Sequence, residues 1–326
     1  MERLSGLRCR LRSRAHLRPD RCNRRERIAG SCLFEIAWNR TAPPRVWQSH
    51  DSSIHAHGAA NVTVQLILRA FVLTLMGMSA VRAEEGVAED HNCGNGETDI
   101  ATDRPDVTNS SQVVPRGSVQ VENGINWTTR QGGTVIDGSN TRVRFGVMQC
   151  TEVLLDLPNY FHPLRGSELS GFSDFSPAIK RQFGHLPGDI KLSATVGLEL
   201  PTGTARIAGQ GYGAYVQLPW SKEIREGWSI SGMFTAFLIP GGRANNPTLE
   251  PTFAVERQVG SRADFFVEYV ADHPRRGPSS QIFDSGGAYR ITPTQQIDIR
   301  VGIGLNRAAP DYLFGVGYSF RFDDLI

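Results

Sequence analysis

Residues 314–322 read FGVGYSFRF, in which Phe314, Val316, Tyr318, Phe320 and Phe322 alternate with Gly315, Gly317, Ser319 and Arg321. Successive side chains of a β-strand point to opposite faces, so a period of two gives one apolar face and one small or charged face. A soluble sandwich and a membrane barrel both use such a strand. The same period recurs upstream. At 190–200, Ile190, Leu192, Ala194, Val196, Leu198 and Leu200 oppose Lys191, Ser193, Thr195, Gly197 and Glu199. At 297–305, Ile297, Ile299, Val301, Ile303 and Leu305 oppose Asp298, Arg300, Gly302 and Gly304.

Twelve segments in all carry this alternation: 118–128, 141–148, 151–157, 172–181, 190–200, 212–221, 228–238, 250–258, 263–270, 281–291, 297–305 and 313–322. Most are near the roughly 9–11 residues that a tilted membrane strand needs. No stretch shows a 3.6-residue period with helix caps, so the spacing predicts an all-β domain. The connections favour a barrel over a sandwich, because short joins (MQCT, KEIREG, QVGSR, TPTQ) alternate with longer ones (RQGGTVIDGSN, PNYFHPLRGSELSG, PTGTARIAGQG, IPGGRANNP, ADHPRRGPSS). Short turns at one end and long loops at the other mark an antiparallel transmembrane β-barrel of about 12 strands. Closure of the last strand on the first removes edges that lipid could not hydrate. Trp220 and Trp228 bracket KEIREG on the apolar face, where an interfacial aromatic girdle is expected.

With the apolar faces toward lipid, the other faces line a lumen. Its expected charged positions include Arg142, Arg144, Glu199, Glu268, Asp284, Arg290, Asp298, Arg300 and Arg321. Both signs are mixed, which suits salt-bridged walls more than a strongly ion-selective pore. Turn lengths predict a ladder of Arg290, Asp298 and Arg321. Tyr215, Phe237 and Phe266 also point inward; they would either receive a flat apolar solute by stacking or pack against folded-in chain.

The 326 residues, with 40% hydrophobic and 21% charged residues, 34 glycines and a formal net charge of +2, exclude no class by themselves. The charge is unevenly spread: residues 1–83 hold 14 Lys+Arg against 5 Asp+Glu, and the remainder 21 against 28. Within 62–83, Arg69, the apolar run 70–80 and Val81-Arg82-Ala83 read as an export signal. Residues 1–61 are Arg-rich without apolar periodicity. They read as a disordered extension from an over-extended gene start rather than a nucleic-acid-binding arm, so no nucleic-acid partner is expected. Of the five cysteines only Cys93 and Cys150 follow the signal, and a single bridge between them is one reading, two free thiols the other. The polar segment 84–117 is either a periplasmic arm or a lumenal insert, with Asp103, Arg104 and Asp106 available to wall charges. Residues 118–322 form the expected barrel and 323–326 a short tail.

Metal, redox, hydrolase and phosphate-loop signatures (HExxH, CxxC, GxSxG, Walker A) are absent, so no cofactor, metal or catalytic residue is expected. His162 with Ser167 or Ser170 is the nearest approach to a nucleophile and base. The readings that remain are a passive channel, a structural or adhesive barrel with a filled lumen, and a lipid-modifying enzyme. Expected partners are outer-membrane lipid, the barrel assembly machinery and a small-molecule solute.

TDRPDVTNSSQVVPRGSVQVENG at 102–124, YVQLPWSKEIREGWSISGM at 215–233, FVEYVADHPRRG at 266–277 and the closing stretch from TPTQQIDIRVGIGL to FGVGYSFRF carry a family resemblance. They resemble the bacterial outer-membrane transporter-like barrels grouped as the meta-pathway of phenol degradation family. The resemblance implies an outer-membrane barrel that passes small, often aromatic, compounds, and it carries over no binding residues. The Asp323-Asp324-Leu325-Ile326 tail departs from the usual ending on a terminal aromatic.

Overall fold

The computed structural model describes residues 99–166, 169–205, 207–208, 211–239 and 246–325. The expected extension at 1–61, the signal at 62–83 and Cys93 lie outside the described residues.

The strands are β1 (Val119–Arg130), β2 (Gly133–Met148), β3 (Thr151–Asp156), β4 (Tyr160–Arg165), β5 (Gly171–Phe172), β6 (Ser176–Leu186), β7 (Ile190–Glu199), β8 (Gly213–Arg225), β9 (Trp228–Ile239), β10 (Thr248–Val259), β11 (Ala263–Pro274), β12 (Ser280–Thr292), β13 (Gln295–Gly304) and β14 (Tyr312–Phe322). All pairings are antiparallel. β2 pairs with β3 through 142–148 and with β4 through 134–138, so β3 and β4 are one wall strand broken at 157–159. β5 and β6 likewise form one strand, broken at 173–175. β1 pairs with both β2 and β14, from Val119↔Phe322 to Thr129↔Tyr312 on the closing side. The result is a closed barrel of 12 strands.

The burial pattern is inverted relative to a soluble sandwich. Along β13 the exposed residues are Ile297, Ile299, Val301 and Ile303, each close to half exposed, while Gln296, Asp298 and Arg300 are buried. In β14 the exposed side carries Phe314, Val316, Tyr318 and Phe322, and the inner side Gly315, Ser319 and Arg321. A continuous apolar belt of this size needs lipid against it. The strand backbones are satisfied by their neighbours and the sheet has no edge, as a hydrocarbon surround requires.

One end of the barrel is closed by turns of two or three residues, at 149–150, 187–189, 226–227, 260–262 and 293–294. The other carries the connections 166–170, 200–212, 240–247, 275–279 and 305–311. Two long connections expected from sequence are corrected. Within RQGGTVIDGSN only Gln131 and Gly132 form the turn; both have positive φ (44° and 85°), the geometry of a tight hairpin. Gly133–Asn140 continues β2, with Asp137 facing inward and Gly supplying no apolar signal. Within PNYFHPLRGSELSG, residues 160–165 are β4, paired to β2. The stretch 181–189, RQFGHLPGD, is mostly strand, with its turn at Pro187-Gly188-Asp189.

Candidate functional site

The barrel interior holds the chain's own N-terminal segment, residues 99–117. It enters at the turn end, where the Ile100 amide donates to the Pro293 carbonyl (2.7 Å), and leaves there too, the Gly117 amide donating to Gly146 O (2.8 Å). Between these points it climbs to Val107 and returns. The way down is marked by side-chain bonds from Asn109 to Gln217 (2.9 Å) and between Ser111 and Ser221 (2.7 Å).

Two kinds of contact hold it. In the first, wall carboxylates accept backbone N–H groups of the plug. Glu122 takes the Asp103 amide on both oxygens (3.1 and 3.0 Å), Glu268 takes Val107 and Thr108 (2.8 Å each), and Glu152 takes Val114 (2.7 Å). In the second, plug charges pair with wall charges. Asp103, with no exposed surface, meets Arg142 (2.9 Å), Lys180 (3.4 Å) and Arg144 (3.7 Å), and also accepts the Ser110 amide (2.9 Å). Arg144 is spanned by Glu122 (3.0 Å) and Glu152 (2.9 Å), and Arg142 is gripped bidentately by Asp156 (2.6 and 2.8 Å). Ionised groups this deep persist only where each charge has an opposite and the remaining lone pairs are used. On the far side Arg104 reaches Asp298 (3.1 Å). Its guanidinium lies over Gly124 and Gly317, where an added Cβ would fall 2.4 and 2.5 Å from Arg104 atoms. A cavity of about 60 Å³ remains in the lumen beside this contact, lined in part by Arg104, Asp106, Asn126, Arg142 and Arg300.

The expected lumen residues sit as follows. Arg142, Arg144, Glu199, Glu268, Asp284, Asp298, Arg300 and Arg321 are buried on the inner face, and Arg290 is intermediate. The predicted ladder is corrected. A register shift between Arg290 and Thr292 sets Arg290 opposite Gln296, and Asp298 lies opposite Ala288 and Gly317. Arg290 pairs with Asp264 (2.9 Å) and Asp99 (3.6 Å), Asp298 with Arg104, and Arg321 with Asp323 (2.7 Å). Arg300 pairs with Asp284. Tyr215 and Phe237 face each other in the register, tilted at 6.1 Å and packed with Leu154 and Ala178. Phe266 lies over Gly286. These aromatics are buried in the wall packing rather than open at a mouth.

Trp220 and Trp228 are on the outer face, and Trp228 is flanked by the guanidinium carbons of Arg225 (4.8 Å) and Arg257 (5.2 Å) next to the 226–227 turn. Such an aromatic with two cations suits a headgroup region. Cys150, buried at the 149–150 turn against Val113, is disulfide-bonded; the other four cysteines lie outside the described residues. His162 of β4 and Ser170 of the 166–170 connection approach to 3.4 Å at an exposed position, and Ser167 lies outside the described residues. The tail has a role that sequence reading missed. Asp323 binds Arg321 and the Ser118 hydroxyl (2.8 Å), and the Leu325 amide donates to Gly117 O (2.8 Å), so the tail clasps the start of β1. Thr252, Gln217 and Gln182, which also meet the plug, were missed because uncharged polar residues on a strand carry no signal of a partner.

The fold and its interior define a membrane β-barrel with an occupied lumen. The family model described as "Putative MetA-pathway of phenol degradation" matches residues 102–322, and the chain belongs to that family. No curated protein shows significant similarity to the chain. Among solved structures, an outer membrane channel from Pseudomonas putida F1 is similar at 12% identity, covering 64% of this chain and 97% of that one, with a TM-score of 0.51. The KdgM porin (9% identity, 63% and 99% covered, TM-score 0.43) and the CymD monoaromatic hydrocarbon channel (9%, 65% and 90%, 0.40) are more distant. At these identities the likeness concerns the fold alone.

Proposed function

We propose that this protein is a passive channel for small solutes in a bacterial outer membrane, with the segment 99–117 as its removable plug. The observation that carries this reading is the manner in which the lumen is filled. The described part of the plug meets the wall through hydrogen bonds, ion pairs and a small apolar contact, and the groups it covers are ionised or polar side chains that water can hydrate when it leaves. A barrel filled only for rigidity would gain more from an apolar core, since buried ion pairs contribute little net stability compared with hydrophobic packing. The likeness of fold to an outer membrane channel supports the same reading. No energy source reaches an outer membrane through a proton gradient, so the solute follows its own gradient.

The alternative, a structural or adhesive barrel, rests on the same seated plug and differs in predicting no permeation. Among the described residues, a lipid-modifying enzyme has only the exposed His162–Ser170 contact in its favour. Lipid surrounds the belt, and Phe322 at the end of β14 is the segment the assembly machinery would read. Single-channel recording with the full chain in planar bilayers, paired with liposome swelling, tests the reading. Conductance events and solute-dependent swelling are expected, rising when the plug seat is weakened. Silence from both wild type and plug-weakened variants would assign the barrel to a structural role.

A further inference from the structure

The apex of the plug is held differently from the rest. Glu268, only 1% exposed, takes the Val107 amide on Oε2 and the Thr108 amide on Oε1, and Oε1 also accepts the Thr108 hydroxyl (2.7 Å). The Thr252 hydroxyl hydrogen-bonds the same Thr108 oxygen. Beside this polar cradle the Val107 side chain packs on Val270, Ile282, Ala309 and Leu313, all buried. One wall of the pocket therefore reads two adjacent backbone N–H donors, one on each carboxylate oxygen, with the Thr108 hydroxyl as a third. The other covers an apolar body.

Resting on the channel reading above, we infer that Glu268, Thr252 and the apolar wall of Val270, Ile282 and Leu313 form a solute subsite that the plug apex occupies in the closed state. Its ligand class is a small solute with an apolar body and two adjacent N–H or O–H donors. A solute that replaces the apex also displaces the water that would otherwise hydrate this carboxylate, so it must supply the donors itself, because a charge left there without them is strongly unfavourable. One donor leaves an oxygen bare, and two donors on opposite ends of a small ring cannot reach both oxygens. A polyhydroxylated solute would press hydroxyls against Val270, Ile282 and Leu313, where nothing pairs with them.

The three benzenediols are a ruler for this geometry, identical in composition and different only in donor spacing. Their binding to the full chain in detergent micelles is measured by calorimetry, with Glu268→Gln and Val107→Ser alongside, and each protein is also recorded in bilayers. Wild type is expected to bind the 1,2-isomer about tenfold more tightly than the 1,4-isomer, the scale of one satisfied polar contact. Val107→Ser removes the apolar anchor of the competing apex, so 1,2-isomer binding should strengthen severalfold. Glu268→Gln should abolish the isomer preference while raising conductance, since it frees the same apex. Equal binding of all isomers by wild type and Val107→Ser, or a preference surviving in Glu268→Gln, would overturn the subsite. The two readings fail separately: conduction without isomer preference removes the subsite and keeps the channel. Isomer preference without conduction by any variant keeps the subsite and removes the channel.

Discussion

Asp103→Asn puts the plug seat to a quantitative test. Asp103 is fully buried and is the plug carboxylate shared by Arg142 at 2.9 Å, Lys180 at 3.4 Å and Arg144 at 3.7 Å. The amide keeps the shape and removes the charge. Arg142 still has Asp156, and Arg144 still has Glu122 and Glu152, but Lys180 is left with Glu152 at 3.5 Å. Removing one member of a buried ion set costs about 3–5 kcal/mol, mostly as the charge left behind. Lumenal water can reach these cations once the plug shifts, so the lower end, about 3 kcal/mol, is the better figure. That weakens the seat by about 100-fold. Hydrogen exchange reads it directly, because the amides of Val107, Thr108 and Val114 are shielded only while their wall carboxylates hold them. Exchange over 101–116 should accelerate by about two orders of magnitude while strand amides stay protected, and channel openings should become more frequent. Unchanged exchange over 101–116 in a folded Asp103→Asn barrel would refute the reasoning.

Three further outcomes follow from local geometry. A Cβ on Gly146 would sit 1.9 Å from the Pro115 carbonyl oxygen, backbone against backbone; Gly146→Ala should cost about 1–3 kcal/mol and lower the temperature at which the barrel shifts its gel mobility. Trp228→Ala removes a ring that two guanidiniums flank; at about 0.5–1 kcal/mol for each exposed contact it should slow insertion into vesicles without moving exchange over 101–116. Partial burial pushes the Asp323 carboxyl up, but hydrogen bonds from Arg321 and Ser118 and the Arg321 charge outweigh it and hold it below its ordinary value. A depressed carboxyl stabilises the clasp above its unfolded pKa, and that contribution is lost as pH falls through the folded value. Leu325 exchange should therefore rise in strong acid, and Asp323→Ala should show the faster exchange already at neutral pH.

Strand parity made the barrel legible because the two faces differ chemically at almost every position. Arg144, Glu199, Glu268 and Asp284 could be placed inside from alternation alone. Partners were another matter. Which inward charge meets which depends on register, and register depends on bulges such as that between Arg290 and Thr292, which leave no mark in composition. The ladder failed for a second reason too: Arg290 and Asp298 take Asp99 and Arg104 from a segment with no period at all. The strand ends at 133–140 and 160–165 were hidden because their two faces do not separate by polarity: Val135, Phe161 and Pro163 share the inner face with Asp137, while Thr134, Gly138 and His162 lie on the outer one.

The composition of the wall follows from what it has to enclose. On the channel reading, a plug that leaves cannot be held by interactions that only a protein partner can satisfy. Carboxylates at Glu122, Glu152 and Glu268 meet this condition, since they accept amides from the plug when it is seated and water when it is absent. Holding the chain through its backbone leaves specificity to a few side chains, and these need room. In FGVGYSFRF the inward positions 315 and 317 are glycine, and atoms of Arg300, Asn126, Arg104 and Asp298 fill the space a Cβ would take. The outer face of the same strand needs bulk to meet lipid, so Phe314, Val316 and Tyr318 alternate with residues that have none. The alternation thus encodes two surfaces at once: a belt for the membrane and a bed for Arg104. Gly317→Ala would leave the first intact and lift the second, weakening the Arg104–Asp298 pair and loosening the plug while the barrel still inserts.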